Sequence, residues 1–193
     1  MKEAFWFTCL VTTTSILGLI AANSQAESPS DVQKLRTTGS CPRCNLEGVN
    51  LQGVNLLGAN LEEANLKGTI LTNANLAGAN LTRVNLKETN LRDINLERAT
   101  LERANLERAN LAGANLTNAN LTGANLTNAN LTGANLEKTI LSVANLTRVN
   151  LESANLTGCN LESARLRGAN LKDAKLTDAN LIGAIMPDGS LHE

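Results

Sequence analysis

The sequence predicts an all-β solenoid, because leucine recurs at every fifth position from Leu46 to Leu181, twenty-eight times in succession. A step of five residues turns about 500° around an α-helix, so the leucines of a helix would scatter around its axis. Along a flat strand, an odd step would send successive leucines to opposite faces. All of them reach one core only if the chain turns a corner within every repeat, as in a solenoid.

Each repeat has a second inward position, two residues before the leucine. Across the twenty-eight repeats it holds eighteen Ala, four Val, three Thr, two Cys and one Ile, and residues two apart in an extended segment point to the same side. The residue between the two inward positions is Asn in twenty-three repeats, and Asn side chains bond nearby backbone groups in turns. We therefore expect Asn in the corners, and the two mostly polar residues after leucine at the corner and on the solvent face.

The repeat resembles the motif of a known family. The segment 59–63 reads Ala-Asn-Leu-Glu-Glu, and it and its successors resemble the pentapeptide-repeat family with its motif A(N/D)LXX. The resemblance covers residues 44–183 without an insertion. It implies a right-handed quadrilateral β-helix with one repeat per side, hence about twenty residues per coil and about seven coils in a rod roughly 34 Å long.

Residues 1–26 are predicted to be a signal peptide. Lys2 precedes an apolar run over residues 4–22, and small residues occupy the −3 and −1 positions before a cleavage site between Ala26 and Glu27. An uncleaved anchor is the alternative, because the run approaches membrane-spanning length. We therefore expect an exported protein, in the periplasm or, if the source is cyanobacterial, in the thylakoid lumen.

Two caps are predicted to flank the repeats of residues 44–183. The N-terminal cap covers residues 27–43, where Val32 and Leu35 share one face of a short helix that would cover the first coil. The C-terminal cap covers residues 184–193, where a Pro-Asp-Gly turn is inserted into the five-residue register. A similar turn closes related cyanobacterial pentapeptide-repeat proteins.

Cys41 and Cys44 form a C-x-x-C motif directly before the first clear repeat, with both residues in inward registers. The motif is compatible with a disulfide that clamps the cap, with a redox-active pair or with half of a zinc site. The sequence lacks a thioredoxin-like βαβ pattern around the motif and a second pair of Cys or His for zinc. We predict a disulfide between Cys41 and Cys44, and we interpret Cys159, at an inward position of the array, as a small apolar packing residue.

The residues indicate no catalytic chemistry. The lone histidine, His192, is next to last and is expected to fray. Carboxylates such as Glu62 and Glu63 are expected on the solvated outer surface, without the water-poor pocket that acid and base catalysis needs. The glycines occupy corner positions, and no phosphate-binding loop is recognised. We therefore predict that the protein is not an enzyme and takes no cofactor, metal or small-molecule substrate.

Charge and repeat architecture favour a protein-interaction module. Removal of residues 1–26 takes away Lys2 and Glu3, so 17 basic residues become 16, 18 acidic residues become 17, and the net charge is −1. A near-neutral rod has no strong field for nucleic acid or anionic membrane. We predict a monomeric structural module with an unknown protein partner, which meets the membrane only through the transient signal segment.

Two alternatives to the general module remain open. One is an assembly or stress-protective factor for a membrane complex, such as a photosynthetic complex. The other is a DNA mimic that inhibits gyrase, as some members of the resembled family are. The second alternative is disfavoured by the neutral charge, by the absence of insertions and by the loss of every aromatic residue with the signal peptide.

Large aliphatic residues interrupt the polar outward positions at a few places. Ile140, Val143 and Ile182 lie along the side of the coil that carries Leu61 and its equivalents, and Leu57 and Ile70 lie on other sides. Exposed aliphatics near the end of a rod mark a contact site, or they are scattered single residues of no consequence.

We expect signal cleavage to define the N-terminus of the exported protein as Glu27. The mature chain would then contain no Phe, Trp or Tyr, because all three aromatic residues lie in the removed segment. N-terminal sequencing of the exported protein and its absorbance at 280 nm, which should be almost nil, test this. An intact Met1 in the secreted fraction would show that export by cleavage is wrong.

Overall fold

The computed structural model describes residues 29–193, so the predicted signal segment and its cleavage site between Ala26 and Glu27 lie outside the described residues. Helix α1 spans Pro29–Thr38. It ends at Gly39, which has a φ of +66° and whose N–H donates to the Leu35 carbonyl at 2.9 Å. Glycine is the usual residue after a helix end because it adopts this left-handed conformation without a steric cost.

The repeats form a solenoid in which residues twenty positions apart pair side by side. Single-residue parallel bridges run from Asn45 with Asn65 to Arg165 with Ile185. Four five-residue repeats therefore make one coil, and each coil lies on the next. We number the sides of a coil by their leucines: side 1 holds Leu121 and Leu141, side 2 Leu126 and Leu146, side 3 Leu131 and Leu151, and side 4 Leu136 and Leu156.

Each repeat bonds to the coils before and after it. The Leu121 N–H donates to the Ile140 carbonyl of the following coil at 2.7 Å, and the Asn120 N–H donates to the Ala99 carbonyl of the preceding coil at 2.9 Å. A turn within the repeat is closed by the Ala124 N–H, which donates to the Leu121 carbonyl at 3.0 Å. The backbone polar groups of a coil interior are thus satisfied although no extended strand forms.

The corners are made by the two residues after each leucine. The second of them has a positive φ in repeat after repeat, as at Gly123 (φ +67°) and Arg103 (φ +54°). This conformation explains why glycine is frequent at that position, because residues with a side chain adopt it at a steric cost.

The expectation that Asn occupies the corners is wrong. Asn115 lies on the flat part of its side, at a bridging position, and the corner begins only after Leu116. Its Oδ1 accepts hydrogen bonds from the backbone N–H of Thr117 at 3.2 Å and from the Thr117 hydroxyl at 2.7 Å. Its amide donates to Asn95, one coil earlier, at 3.2 Å. Asn therefore braces the corner from the side and links neighbouring coils.

The leucines and the small residues two positions before them fill the interior. Leu121 and Ala124 are fully buried, as the sequence predicts. Where threonine takes the small position, its hydroxyl donates to a leucine carbonyl: Thr89 to Leu66 at 2.8 Å and Thr139 to Leu116 at 2.7 Å. Within residues 29–193, no buried side-chain nitrogen or oxygen lacks a hydrogen-bond partner.

The two ends of the solenoid differ. At the N-terminal end α1 packs on the core through Val32 and Leu35, which are both buried. At the other end Leu176 and Leu181 are only partly buried. The expectation that His192 frays is wrong for its backbone. The His192 N–H donates to the Ala184 carbonyl at 2.9 Å, and the His192 carbonyl accepts a hydrogen bond from the Gly183 N–H.

Replacement of Leu121 by Ala tests the inward assignment. Leu121 is fully buried between coils, so the loss of burial and the resulting cavity should lower the free energy of unfolding by about 2–5 kcal/mol. The matched control is Thr122→Ala, which removes a surface hydroxyl that donates to Asn120 and should cost about 1 kcal/mol or less. Equal losses for the two variants, measured by denaturant unfolding, would contradict the assignment.

Candidate functional site

The N-terminal cap is held by a disulfide and by helix α1. Cys41 and Cys44 are bonded to each other, with their Cα atoms 5.5 Å apart, and both are buried in the core cluster that includes Val32. The carboxylate of Asp31, in the first turn of the helix, accepts a hydrogen bond from the Asn45 N–H at 2.8 Å. The helix is therefore tied both to the core and to the start of the repeats.

Asp31 also lies close to the two sulfur atoms of the cap. One donor atom from each of Asp31, Cys41 and Cys44 fits within a mutual distance of 4.8 Å. Metal binding by cysteine requires thiolate sulfur, and here the two sulfurs are bonded to each other. The arrangement therefore braces the cap in its oxidised form.

Cys159 is buried in the interior of the array. Its thiol donates to the Leu136 carbonyl at 2.8 Å, and burial raises the pKa of the Cys159 thiol to about 12. The thiolate is the reactive form of cysteine, so this residue has the inert environment expected of a packing position.

Charged side chains form ladders along the N-terminal part of the rod. Glu63 lies between Arg43 and Arg83, each one coil away, and accepts hydrogen bonds at 2.8 Å from the Nε of both. The hydrogen bond from Arg43, followed by that from Arg83, lowers the pKa of the Glu63 carboxyl below its usual value. Exposed ion pairs of this kind contribute little to stability, but they neutralise the surface locally.

A groove lies at the C-terminal end of side 2. It has a volume of about 530 Å³ and is lined by Thr147, Arg165, Arg167, Ile185, Asp188 and Gly189. Asp188 and Gly189 of this lining lie in the turn after Met186. In that turn Asp188 Oδ1 accepts hydrogen bonds from the Ser190 hydroxyl at 2.6 Å and from the Ser190 backbone N–H at 2.9 Å. The Ser190 hydroxyl holds the pKa of the Asp188 carboxyl below its ordinary value.

Two strongly exposed aliphatic residues lie on the corner between sides 1 and 2, next to the groove side. Val143 is 58% exposed and Ile182 is 63% exposed. The structure places Ile140 on the flat part of side 1, less exposed than either, while Leu57 and Ile70 lie nearer the N-terminal end. The aliphatic residues singled out in the sequence are thus outward-facing, and two of them share one corner.

Reasoning from the sequence missed the groove. Arg148, Arg165 and Arg167 are separated by up to nineteen positions and resemble any other surface arginines. They become neighbours only when residues twenty apart are aligned in columns. Alignment of the outward positions at that period, followed by comparison of the charges in each column, would have found them.

The fold and its regular surface define a β-solenoid repeat scaffold. The family model described as "Pentapeptide repeats (8 copies)" matches residues 44–83, 79–118, 104–142 and 144–190, so the chain belongs to the pentapeptide-repeat family. Members of this family are in general structural or interaction modules. A comparison with curated protein sequences found no match.

Solved pentapeptide-repeat structures resemble the chain to different degrees. A trypsin-treated form of QnrB1, a plasmid-mediated fluoroquinolone resistance protein, has 18% identity and a TM-score of 0.58 over 79% of this chain and 75% of its own, which concerns the fold alone. Rfr23 from the cyanobacterium Cyanothece 51142 has 32% identity and a TM-score of 0.25 over 78% of this chain and 92% of its own. A protein from the Arabidopsis thaliana thylakoid lumen has 28% identity and a TM-score of 0.28 over 63% and 68%.

Mass spectrometry of the native exported protein should find Cys41 linked to Cys44 and Cys159 reduced. The closed loop is short, so the bond should contribute about 2 kcal/mol or less to stability, and its reduction should loosen residues 30–50 without exposing the central coils. Hydrogen exchange before and after reduction measures this difference. A crosslink that involves Cys159, or three reduced thiols in the exported form, would overturn this description of the cap.

Proposed function

We propose that this protein is an exported, non-enzymatic scaffold that binds a protein partner through the outer surface of its β-helix. The N-terminal sequence features support export to the periplasm or the thylakoid lumen, with residues 1–26 removed. The rod would be a right-handed quadrilateral helix of about seven coils, with a cap over residues 27–43 and another over residues 184–193. Within residues 29–193, no helix combines the length and the apolar character that a membrane crossing requires.

The backbone conformation and exposure of Val143 are the single observation on which the proposed interaction role rests. Its φ is +53°, a conformation that is a genuine outlier for a β-branched residue. The equivalent corner positions one coil away hold Gly123 and Ser163. Val143 gains little burial in return, because 58% of its surface is exposed. A strained and exposed aliphatic side chain is poorly explained by stability, and a contact surface explains it.

The surface charges favour a scaffold over a nucleic-acid mimic. A mimic of DNA needs faces of uncompensated negative charge, whereas here Glu63 lies between two arginines and Glu107 lies 3.1 Å from Lys87. Glu152 similarly lies 3.3 Å from Lys172. The likeness to QnrB1, at 18% identity, supports the same fold and not the same target.

A role in the assembly or protection of a membrane complex is the more specific form of the same proposal. It differs from the general scaffold only in the identity of the partner. Cross-linking of the native exported protein, followed by identification of the captured chains, distinguishes the two. Reproducible capture of the subunits of one membrane complex would select the specific form.

Replacement of Val143 by Asn tests the proposal, because it should move stability and partner capture in opposite directions. Asn tolerates a positive φ and occurs at the same corner position as Asn118 and Asn128. The free energy of unfolding should therefore rise by about 1 kcal/mol. Cross-linked capture of the partner should fall at the same time.

The matched control for Val143→Asn is Leu57→Asn, which removes another strongly exposed aliphatic side chain near the opposite end of the rod. This change should leave capture intact. If no partner is captured by the wild-type protein, or if both variants capture it equally well, the proposed contact surface is wrong.

A further inference from the structure

Three arginines are brought together on side 2 by the stacking of two coils. The Arg165 carbonyl accepts the Leu146 N–H at 2.8 Å, and the Arg167 carbonyl accepts the Arg148 N–H at 2.9 Å. Arg148 is therefore in the coil directly beside Arg165 and Arg167, at the spacing of about 4.8 Å between adjacent strands. A Cβ added to Gly168 would lie 3.4 Å from the Arg148 Cγ, so the stem of Arg148 extends over that glycine, next to Arg167.

The positive charge of this cluster is not compensated by ion pairs. Among residues 29–193, no carboxylate oxygen lies within 4.0 Å of a guanidinium nitrogen of Arg148, Arg165 or Arg167. By the same criterion, five of the six arginines between residues 43 and 108 have a carboxylate partner; these are Arg43, Arg83, Arg92, Arg98 and Arg108. These three arginines therefore lie outside the ladders of opposite charge, which continue on another side as far as Glu152 and Lys172.

The single acidic residue in the groove lining does not neutralise the cluster. Asp188 lines the groove, but its Oδ1 is engaged by Ser190 at 2.6 Å. The surface from Val143 to Arg167 therefore carries three positive charges against two negative ones, those of Asp188 and of the exposed Glu162, whose carbonyl accepts the Val143 N–H at 2.9 Å. All three arginine side chains are exposed, so their donors are available to a ligand that supplies oxygen acceptors.

Apolar surface adjoins Arg165 along the rod and at the corner where side 2 begins. Ile185 forms part of the groove lining and bridges Arg165 in the adjacent coil. Val143 and Ile182, both strongly exposed, lie on the corner where side 2 begins. Aliphatic groups therefore lie at the first corner of side 2 and beside Arg165, while Arg148 and Arg167 lie at the corner between sides 2 and 3.

We infer that this surface, defined by Val143, Arg148, Arg165, Arg167 and Ile182, binds an acidic polypeptide segment that also carries aliphatic side chains. The inference rests on the proposed scaffold function and names the chemistry of its partner. Guanidinium groups bind carboxylates through paired, charge-assisted hydrogen bonds, while the aliphatic residues would bury the apolar side chains of the segment.

A polypeptide fits this surface better than a lipid headgroup. The Asp188 carboxylate in the lining repels any anionic group, but a polypeptide also offers backbone N–H groups that can donate a hydrogen bond to it, and an ionised phosphate diester offers no such donor. The whole chain has a net charge of −1, which gives no long-range attraction to an anionic bilayer. Binding must therefore rest on short-range contacts with this surface. Those contacts require both carboxylates and aliphatic groups in the ligand.

Selection from a random peptide library on the immobilised full chain tests the inference. Enriched peptides should combine Asp or Glu with Leu, Ile or Val. Their affinity should fall about tenfold or more for the variant R148Q/R165Q/R167Q, which corresponds to the loss of about 1.4 kcal/mol or more of binding free energy. It should also weaken with added salt, because the contact is between exposed charges.

The matched control is R92Q/R98Q/R103Q, which removes the same charge from exposed corners elsewhere on the rod and should bind the peptides like the wild type. Enrichment of peptides without acidic residues, the absence of enrichment, or equal binding by the groove variant would each overturn the inference. So would groove-dependent binding of phosphatidylglycerol vesicles in place of the peptides. Continued cross-linked capture of a partner by the groove variant would refute this inference while leaving the scaffold function intact.

Discussion

The whole structure depends on the hydrogen bonds that join residues in neighbouring coils, such as the bond of 2.7 Å from the Leu121 N–H to the Ile140 carbonyl. They fix the coil at twenty residues, and that length places every fifth-position leucine in the interior. They also fix the outer surface, because residues twenty apart must lie side by side. A single backbone constraint thus determines both the core and the columns that a partner would meet.

The same constraint determines which surface charges are paired, because residues twenty positions apart form columns along the rod. Glu63 is neutralised because the residues twenty positions before and after it are Arg43 and Arg83. Arg165 is not neutralised, because the equivalent positions hold Asn145 and Ile185. The N-terminal part of the rod is consequently a surface of internal ion pairs, while the C-terminal end of side 2 keeps its charges available for an external ligand.

The leucine period was sufficient to predict the solenoid and the buried positions, because a period of five is compatible with one core only if the chain turns in every repeat. It was not sufficient to place the corners. Asn115 bonds to the backbone two residues ahead, and such a bond is equally compatible with a residue inside a turn or just before one. The groove was missed for a different reason, since Arg148 and Arg165 become neighbours only through the coil length.

Two independent features converge on the same end of side 2. The backbone strain at Val143 (φ +53°) arises within one residue, from its β-branched side chain. The unpaired charge of Arg165 and Arg167 arises instead from the residues that the neighbouring coils place beside them. Neither feature contributes to folding, because the first costs stability and the second leaves like charges adjacent. A rod whose interior is regular tolerates such costs at its surface, since each coil depends only on its neighbours. Side chains that serve binding can therefore be placed on one side without any change in the core.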